Sequence, residues 1–177
     1  DRSARVIFPL VGCVCVVVGT LAGCRHRGEP APPAPAAVVP AADRSLPPYA
    51  NQLAGLRICL DPGHGGDANR PNFKRGPSGL REAEVNLRIA LILRDLLQAS
   101  GATVFMTRHD DTALAGDDEE DLRLRAEVAN RNDCDLLLSI HHNANDRPEA
   151  NFTTVWYHDE VDWSPASLDV AREVAAA

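Results

Sequence analysis

The sequence has no basic stripe: 18 lysines and arginines stand against 25 aspartates and glutamates in 177 residues, a formal net charge of -7. A chain of that balance is repelled by phosphate backbones, so nucleic acid is not an expected partner. Nor is there a long hydrophobic run. The apolar stretch from Val6 to Ala22 stops short of the ~20 residues that a bilayer core demands, which makes a spanning helix the weaker reading of it. Cysteine is scarce in the part expected to fold, where only Cys59 and Cys134 occur, without the spacing of metal ligands. A disulfide between them in an oxidising compartment and two buried free thiols are both open readings, the second favoured. Internal repeats are absent, and the length suits one domain of ordinary size, expected to be a monomer. The acidic cluster GDDEED, Gly116 to Asp121, lacks the alternating ligand spacing of a calcium loop. It reads instead as the solvated start of the helix behind it, where carboxylates complement the positive helix end.

The first residues have the layout of a secretory signal: Arg2 and Arg5, then the apolar run, then small residues before Cys24. LAGC, Leu21 to Cys24, resembles the lipobox of bacterial lipoproteins, which implies cleavage before Cys24 and a lipid on its sulfur holding the protein at a membrane surface. The stretch that follows, RHRGEPAPPAPAAVVPAADRSLPPYANQ, is rich in proline and alanine, cannot build a core, and is expected to be a semi-rigid spacer. The expected organisation is thus a signal over 1–23, a tether over 24–54 and a folded domain over 55–177. The expected location is the cell envelope, on the outer face of the cytoplasmic membrane or in the periplasm.

Within the domain, Leu56 to Asp61 reads as a buried strand ending in a proline and glycine turn. Val85, Ile89, Ile92, Leu93, Leu96 and Leu97 recur at helical spacing between Glu82 and Gln98, and Ser100 and Gly101 stop that helix. Ala102 to Arg108 is a second strand. Leu122 to Asn130 is a second helix, with Leu122, Ala126 and Ala129 expected inside. Asp135 to Ile140 is a third strand, apolar enough for burial on both faces, Thr153 to His158 a fourth, and a helix opens near Ser164 or Ser167. Alternating strands and helices predict an α/β fold, a mixed but mostly parallel sheet flanked by helices. Its ligand site lies at one edge, beyond the carboxyl ends of the strands.

That order brings chemistry together. In CLDPGHGG, Cys59 to Gly66, glycines leave room around His64 at the end of the first strand; a solvated turn histidine is the plain alternative to a ligand. HHNAN, His141 to Asn145, follows the third strand. His64 and His141, with a carboxylate from the first turn of the intervening helix, Glu82 before Glu84, could supply the donor set of a catalytic zinc with a position open for water; histidines that are merely hydrogen-bonded after their strands are the other reading.

ICLDPGHGG, GLREAEVNLRIALILRDLL, TRHDD and RAEVANRNDCDLLLSIHHNA, in that order, resemble the zinc-dependent N-acetylmuramoyl-L-alanine amidases of the type-3 amidase family. The resemblance implies that His64, Glu82 and His141 bind Zn2+ and that the substrate is peptidoglycan, cut between the lactyl group of muramic acid and L-alanine. Two departures stand out. His142 occupies a place where the family has a small residue, and reads as a cleft-wall or supporting group, or in a ligand swap with His141. The late-strand glutamate that the family uses as general base has no counterpart before Ala177: neither Glu149, Glu160 nor Glu173 is assigned that role, and the chain is expected to be a C-terminally truncated copy. A non-catalytic wall-binding lipoprotein and a zinc peptidase acting within the stem remain as alternatives. Asp61 is expected to orient an imidazole or cap the turn, Asn86 and Asn143 to fix backbone at the cleft, Arg108 and Asp110 to form a weak loop ion pair, and Trp156 and Tyr157 to serve as core and cleft wall.

Overall fold

The structure, a computed structural model, describes residues 12–17, 51–67, 75–76, 79–142, 152–157 and 164–176. Its elements are β1 (Gly12–Val17), β2 (Arg57–Pro62), α1 (Glu82–Ala99), β3 (Thr103–Met106), α2 (Asp118–Arg131), β4 (Leu136–His141), β5 (Thr154–Tyr157) and α3 (Ser164–Ala176). They form one five-stranded sheet in the order β3-β2-β4-β1-β5. All neighbours are parallel except β5, which runs antiparallel to β1. The expected mostly parallel α/β sheet is what forms.

Alternation along the central strands decides which helix each face receives. Ile58 and Leu60 of β2 join Ile140, Met106 and Ala102 under α1, together with Leu87, Leu91, Leu93 and Leu97. Cys59 faces the other way, with Leu137, Cys134 and Ala129 of α2. Both cysteines are buried free thiols, and burial pushes both above the ordinary thiol value. Leu60 is fully enclosed, and burying a leucine contributes about 1.5–3 kcal/mol.

The helix faces depart from expectation in two places. Ile89, Ile92 and Leu96 are exposed, while Ala83, Asn86 and Ala90 are buried. Apolar residues surround α1, so periodicity could not choose its inner side, and the small residues let the helix approach the sheet. Leu122 is 67 % exposed and Arg125 4 %. Leu122 lies beyond the sheet end, where it lines a groove. Asp117 caps α2, accepting from the Glu120 N–H at 3.0 Å, so the acidic cluster does begin that helix.

The N-terminal region also differs. Gly12–Val17, expected to stand outside the domain as part of a leader, is β1, registered on Leu136–His141. A short valine-rich run suits a central strand as well as it suits a leader, so hydropathy does not separate the two. The end of the expected tether is docked: Leu53 packs on the α1 side of the core and its N–H donates to the Ser100 carbonyl at 3.2 Å. The rest of the leader and tether, Cys24 included, lies outside the described residues, as do Asn143, Glu149 and Glu160. Among the described residues no helix is long and apolar enough to cross a membrane. Trp156 is 65 % exposed, so it is not a core residue.

Candidate metal centre

The parallel register sets Pro62 beside Ile140, and the Gly63 N–H continues the ladder to the Ile140 carbonyl at 3.0 Å. His141, the next residue of β4, therefore lies across from Gly63, with His64 just beyond. The two imidazoles meet edge to face, 4.8 Å between centroids. Glu82 opens α1, where a carboxylate is favoured by the helix dipole. Its Oε2 is 3.2 Å from His64 Nε2 and its Oε1 3.0 Å from His141 Nδ1. Burial works to raise the Glu82 carboxyl, and its bonds to His141 and His64 overcome that, holding it well below the usual carboxylate range.

One donor atom from each of His64, Glu82 and His141 lies within 4.8 Å of the others. Two nitrogens and one carboxylate oxygen, with a groove beside them, fit the donor set of a catalytic zinc. Glu84 stays out at the surface, 3.8 Å from the Arg81 guanidinium.

His142 points elsewhere. It is buried, its Nδ1 lies 2.8 Å from Asn86 Oδ1, and its N–H donates to Glu82 Oε1 at 3.1 Å. Since Asn86 Nδ2 donates to the Gly63 carbonyl at 3.0 Å, its oxygen is the acceptor and His142 carries the proton on Nδ1. His142 thus supports Glu82 through its backbone and the turn through Asn86. Burial pushes the His142 imidazole below its ordinary value, against the pull of Glu82. A base whose folded pKa is depressed contributes stability that is present above the unfolded value and lost as pH falls through the folded one. The metal-free protein is therefore expected to melt at lower temperature as pH drops below the ordinary imidazole value of 6.5, and His142→Gln to flatten that slope in thermal scans.

Behind the histidines sits a polar cluster whose partners, and whose member Arg125, sequence reasoning missed. Asp61 does not act as expected: its Oδ1 accepts from Thr107 Oγ1 and Arg125 Nη1, both at 2.7 Å, and its Oδ2 from Ser139 Oγ at 2.7 Å. Arg108, expected in a loose pair with the Asp110 carboxylate, is 2 % exposed. It donates to the carbonyls of Pro62 at 2.7 Å, Gly63 at 2.9 Å, Ala83 at 2.8 Å and Asp110 at 2.8 Å. Burial and the neighbouring Arg125 push its guanidinium down to about 10, still protonated at neutral pH. Arg125 donates to the His64 carbonyl at 3.0 Å and to Asp121 at 2.6 Å. Breaking a buried pair such as Arg125–Asp61 costs about 3–5 kcal/mol. His64 itself has φ 61°, the left-handed region, which costs a non-glycine residue about 1–2 kcal/mol. Asp121 also accepts from the N–H groups of Leu114 and Ala115 at 2.6 and 3.2 Å. Of these two loop residues Ala115 lines a groove of about 370 Å³ that ends on His64 and His141. The groove is open to a ligand arriving at the triad.

Residues 58–177 match the family described as N-acetylmuramoyl-L-alanine amidase. A germination-specific N-acetylmuramoyl-L-alanine amidase of Bacillus subtilis is 41 % identical over 108 residues, covering 56 % of this chain and 44 % of that protein. A probable cell wall amidase, LytH, of Staphylococcus aureus is 39 % identical over 111 residues, covering 62 % of this chain and 34 % of that protein. The chain thus spans less than half the length of either relative. Among solved structures, the amidase AmiC2 of Nostoc punctiforme is 33 % identical with a TM-score of 0.47, covering 56 % of this chain and 51 % of that one.

Proposed function

Because this chain belongs to the N-acetylmuramoyl-L-alanine amidase family, we propose that it is a zinc-dependent hydrolase of peptidoglycan, cutting the amide between the muramic lactyl group and L-alanine. The observation that carries the reading is the convergence of His64, Glu82 and His141 within 4.8 Å at the end of an open groove. Zinc held by those three side chains would polarise the scissile carbonyl and lower the pKa of a water in the site.

The chain's own residues hold and orient the site. Glu82 stays ionised across the physiological range and keeps both imidazoles turned inward. Arg108 and Asn86 pin the Gly63 carbonyl, so the turn bearing His64 cannot slide along β4. The groove takes the peptide stem and delivers its first amide to the triad. A proton acceptor for the attacking water is assigned to no residue of this chain. Export, with a lipid on Cys24, belongs to the same reading and is supported by the LAGC motif and the proline-rich spacer. Cleavage before Cys24 would also take β1 out of the sheet.

The test is zinc per chain, release of stem peptides from purified peptidoglycan, and the intact mass of membrane-recovered protein. It is run on this chain and on a longer frame supplying a late glutamate. Stoichiometric zinc, peptides with a free L-alanine amine from the longer form, and a lipidated Cys24 at the N-terminus are expected. Zinc without release from either form favours a wall-binding role, and cleavage between stem residues a peptidase.

A further inference from the structure

The turn that carries His64 is held from beneath by an arginine that the proposed chemistry does not use. Arg125 lies on α2, over sixty residues away in the chain, and is 4 % exposed. Its nitrogens are all committed. Nε donates to Asp121 Oδ2 at 2.6 Å, Nη1 to Asp61 Oδ1 at 2.7 Å and the Pro62 carbonyl at 3.2 Å, and Nη2 to the His64 carbonyl at 3.0 Å. Position 125 faces the sheet, where α2 otherwise presents Ala129 to Cys59 and Leu137. An apolar side chain would be cheaper to bury there than a guanidinium, and Arg108 already brings a second cation to the same turn. What the arginine provides is a planar fork that reaches two backbone carbonyls and two carboxylates at once, which lysine cannot do.

We propose that Arg125 is a positioning residue for the metal centre: it holds His64 in its left-handed conformation, so that the imidazole faces Glu82 and His141. The proposal rests on the reading of those three residues as ligands. Asp121 completes the device, because it orients the guanidinium with one oxygen and with the other holds the N–H groups of Leu114 and Ala115, the second of which lines the groove. The ligand turn and the groove wall are thereby tied to one cation.

The test is zinc affinity by competition with a chromophoric chelator, with the visible spectrum of the Co²⁺-loaded protein and the melting of the metal-free form. It is run on the full chain and on R125Q, R125K and D121N. Loss of a partner that orients a ligand weakens metal binding by roughly 10–100-fold. That loss is expected for R125Q and equally for R125K, with an altered cobalt spectrum, and a smaller loss for D121N. A merely structural arginine would lower the melting temperature and leave affinity and spectrum unchanged in the folded protein, which overturns the proposal. So does wild-type affinity in R125K. If neither Arg125 variant folds, D121N decides by the same readouts. A wild-type chain that takes up no stoichiometric zinc overturns the ligand assignment itself, a failure distinct from wild-type zinc binding in the variants.

Discussion

Replacing His141 by alanine, or His64 by asparagine, is expected to take bound zinc from stoichiometric to trace levels while the chain still folds. Each substitution removes one of three donors whose atoms lie within 4.8 Å of one another. The loss should exceed the roughly 10–100-fold that follows removal of a group merely orienting a ligand. Asparagine is preferred at 64 because φ is 61° there, a conformation asparagine tolerates and alanine does not. The metal-free proteins carry a second signature. Glu82 is held below its ordinary value of 4.5 chiefly against burial, by both imidazoles. Its pairing therefore contributes stability that is present above that value and lost as pH falls through the lower folded one. With one imidazole gone the folded value rises, and acid unfolding should begin at higher pH. Metal analysis and acid titration of the variants check both. Full zinc in both would sink the assignment of the site.

The convergence of His64, Glu82 and His141 was legible because the place of each follows from a local rule. His64 ends an apolar strand in a glycine turn, His141 ends another, and Glu82 opens the helix between them, so a parallel sheet alone brings the three to one edge. The supporting shell was not. Arg108 and Arg125 sit in polar stretches where charge reads as solvation, and what buries them are carbonyls that become available only when the turn at Pro62–His64 is formed. Asp61 was legible as a residue that orients an imidazole or caps the turn, and not as the partner of Thr107, Ser139 and Arg125. A signal did exist. Arg125 lies four residues before Ala129, on the same face of α2, and a charged residue at such a position demands a partner. Leu122, one turn earlier on that face, drew the attention instead because it is apolar. For Gly12–Val17, an apolar valine run carries no information on whether it is a leader or a strand.

Gly63→Ala is expected to empty the site without unfolding the protein. The backbone at Gly63 has no left-handed φ, so alanine is conformationally acceptable and only space matters. There is none: a Cβ would stand 2.2 Å from both Cε1 and Nε2 of His141 and 2.7 Å from its Cδ2. Either the strands part or the ring moves. The strands are held by the Gly63 N–H on the Ile140 carbonyl, and the Gly63 carbonyl is held by Asn86 and Arg108. The ring is held by the Glu82 contact at 3.0 Å and by its packing on His64. A side chain rotates about χ1 more cheaply than a central parallel ladder opens, so the imidazole should swing away and carry its donor nitrogen out of reach. Gly65→Ala is the contrasting variant. Its Cβ would meet the backbone oxygen of Thr112 at 2.2 Å at a φ of 133°, so strain falls on the loop instead of on His141. The first variant should melt near the wild-type temperature with zinc affinity reduced by roughly 100-fold or more, at or beyond the top of the range for losing an orienting partner. The second should lose about 1–3 kcal/mol of stability, as overpacked sites do, and keep its affinity once folded. Thermal melts beside chelator competition separate the two, and wild-type zinc affinity in Gly63→Ala would mean that His141 does not hold the metal from the position it occupies here.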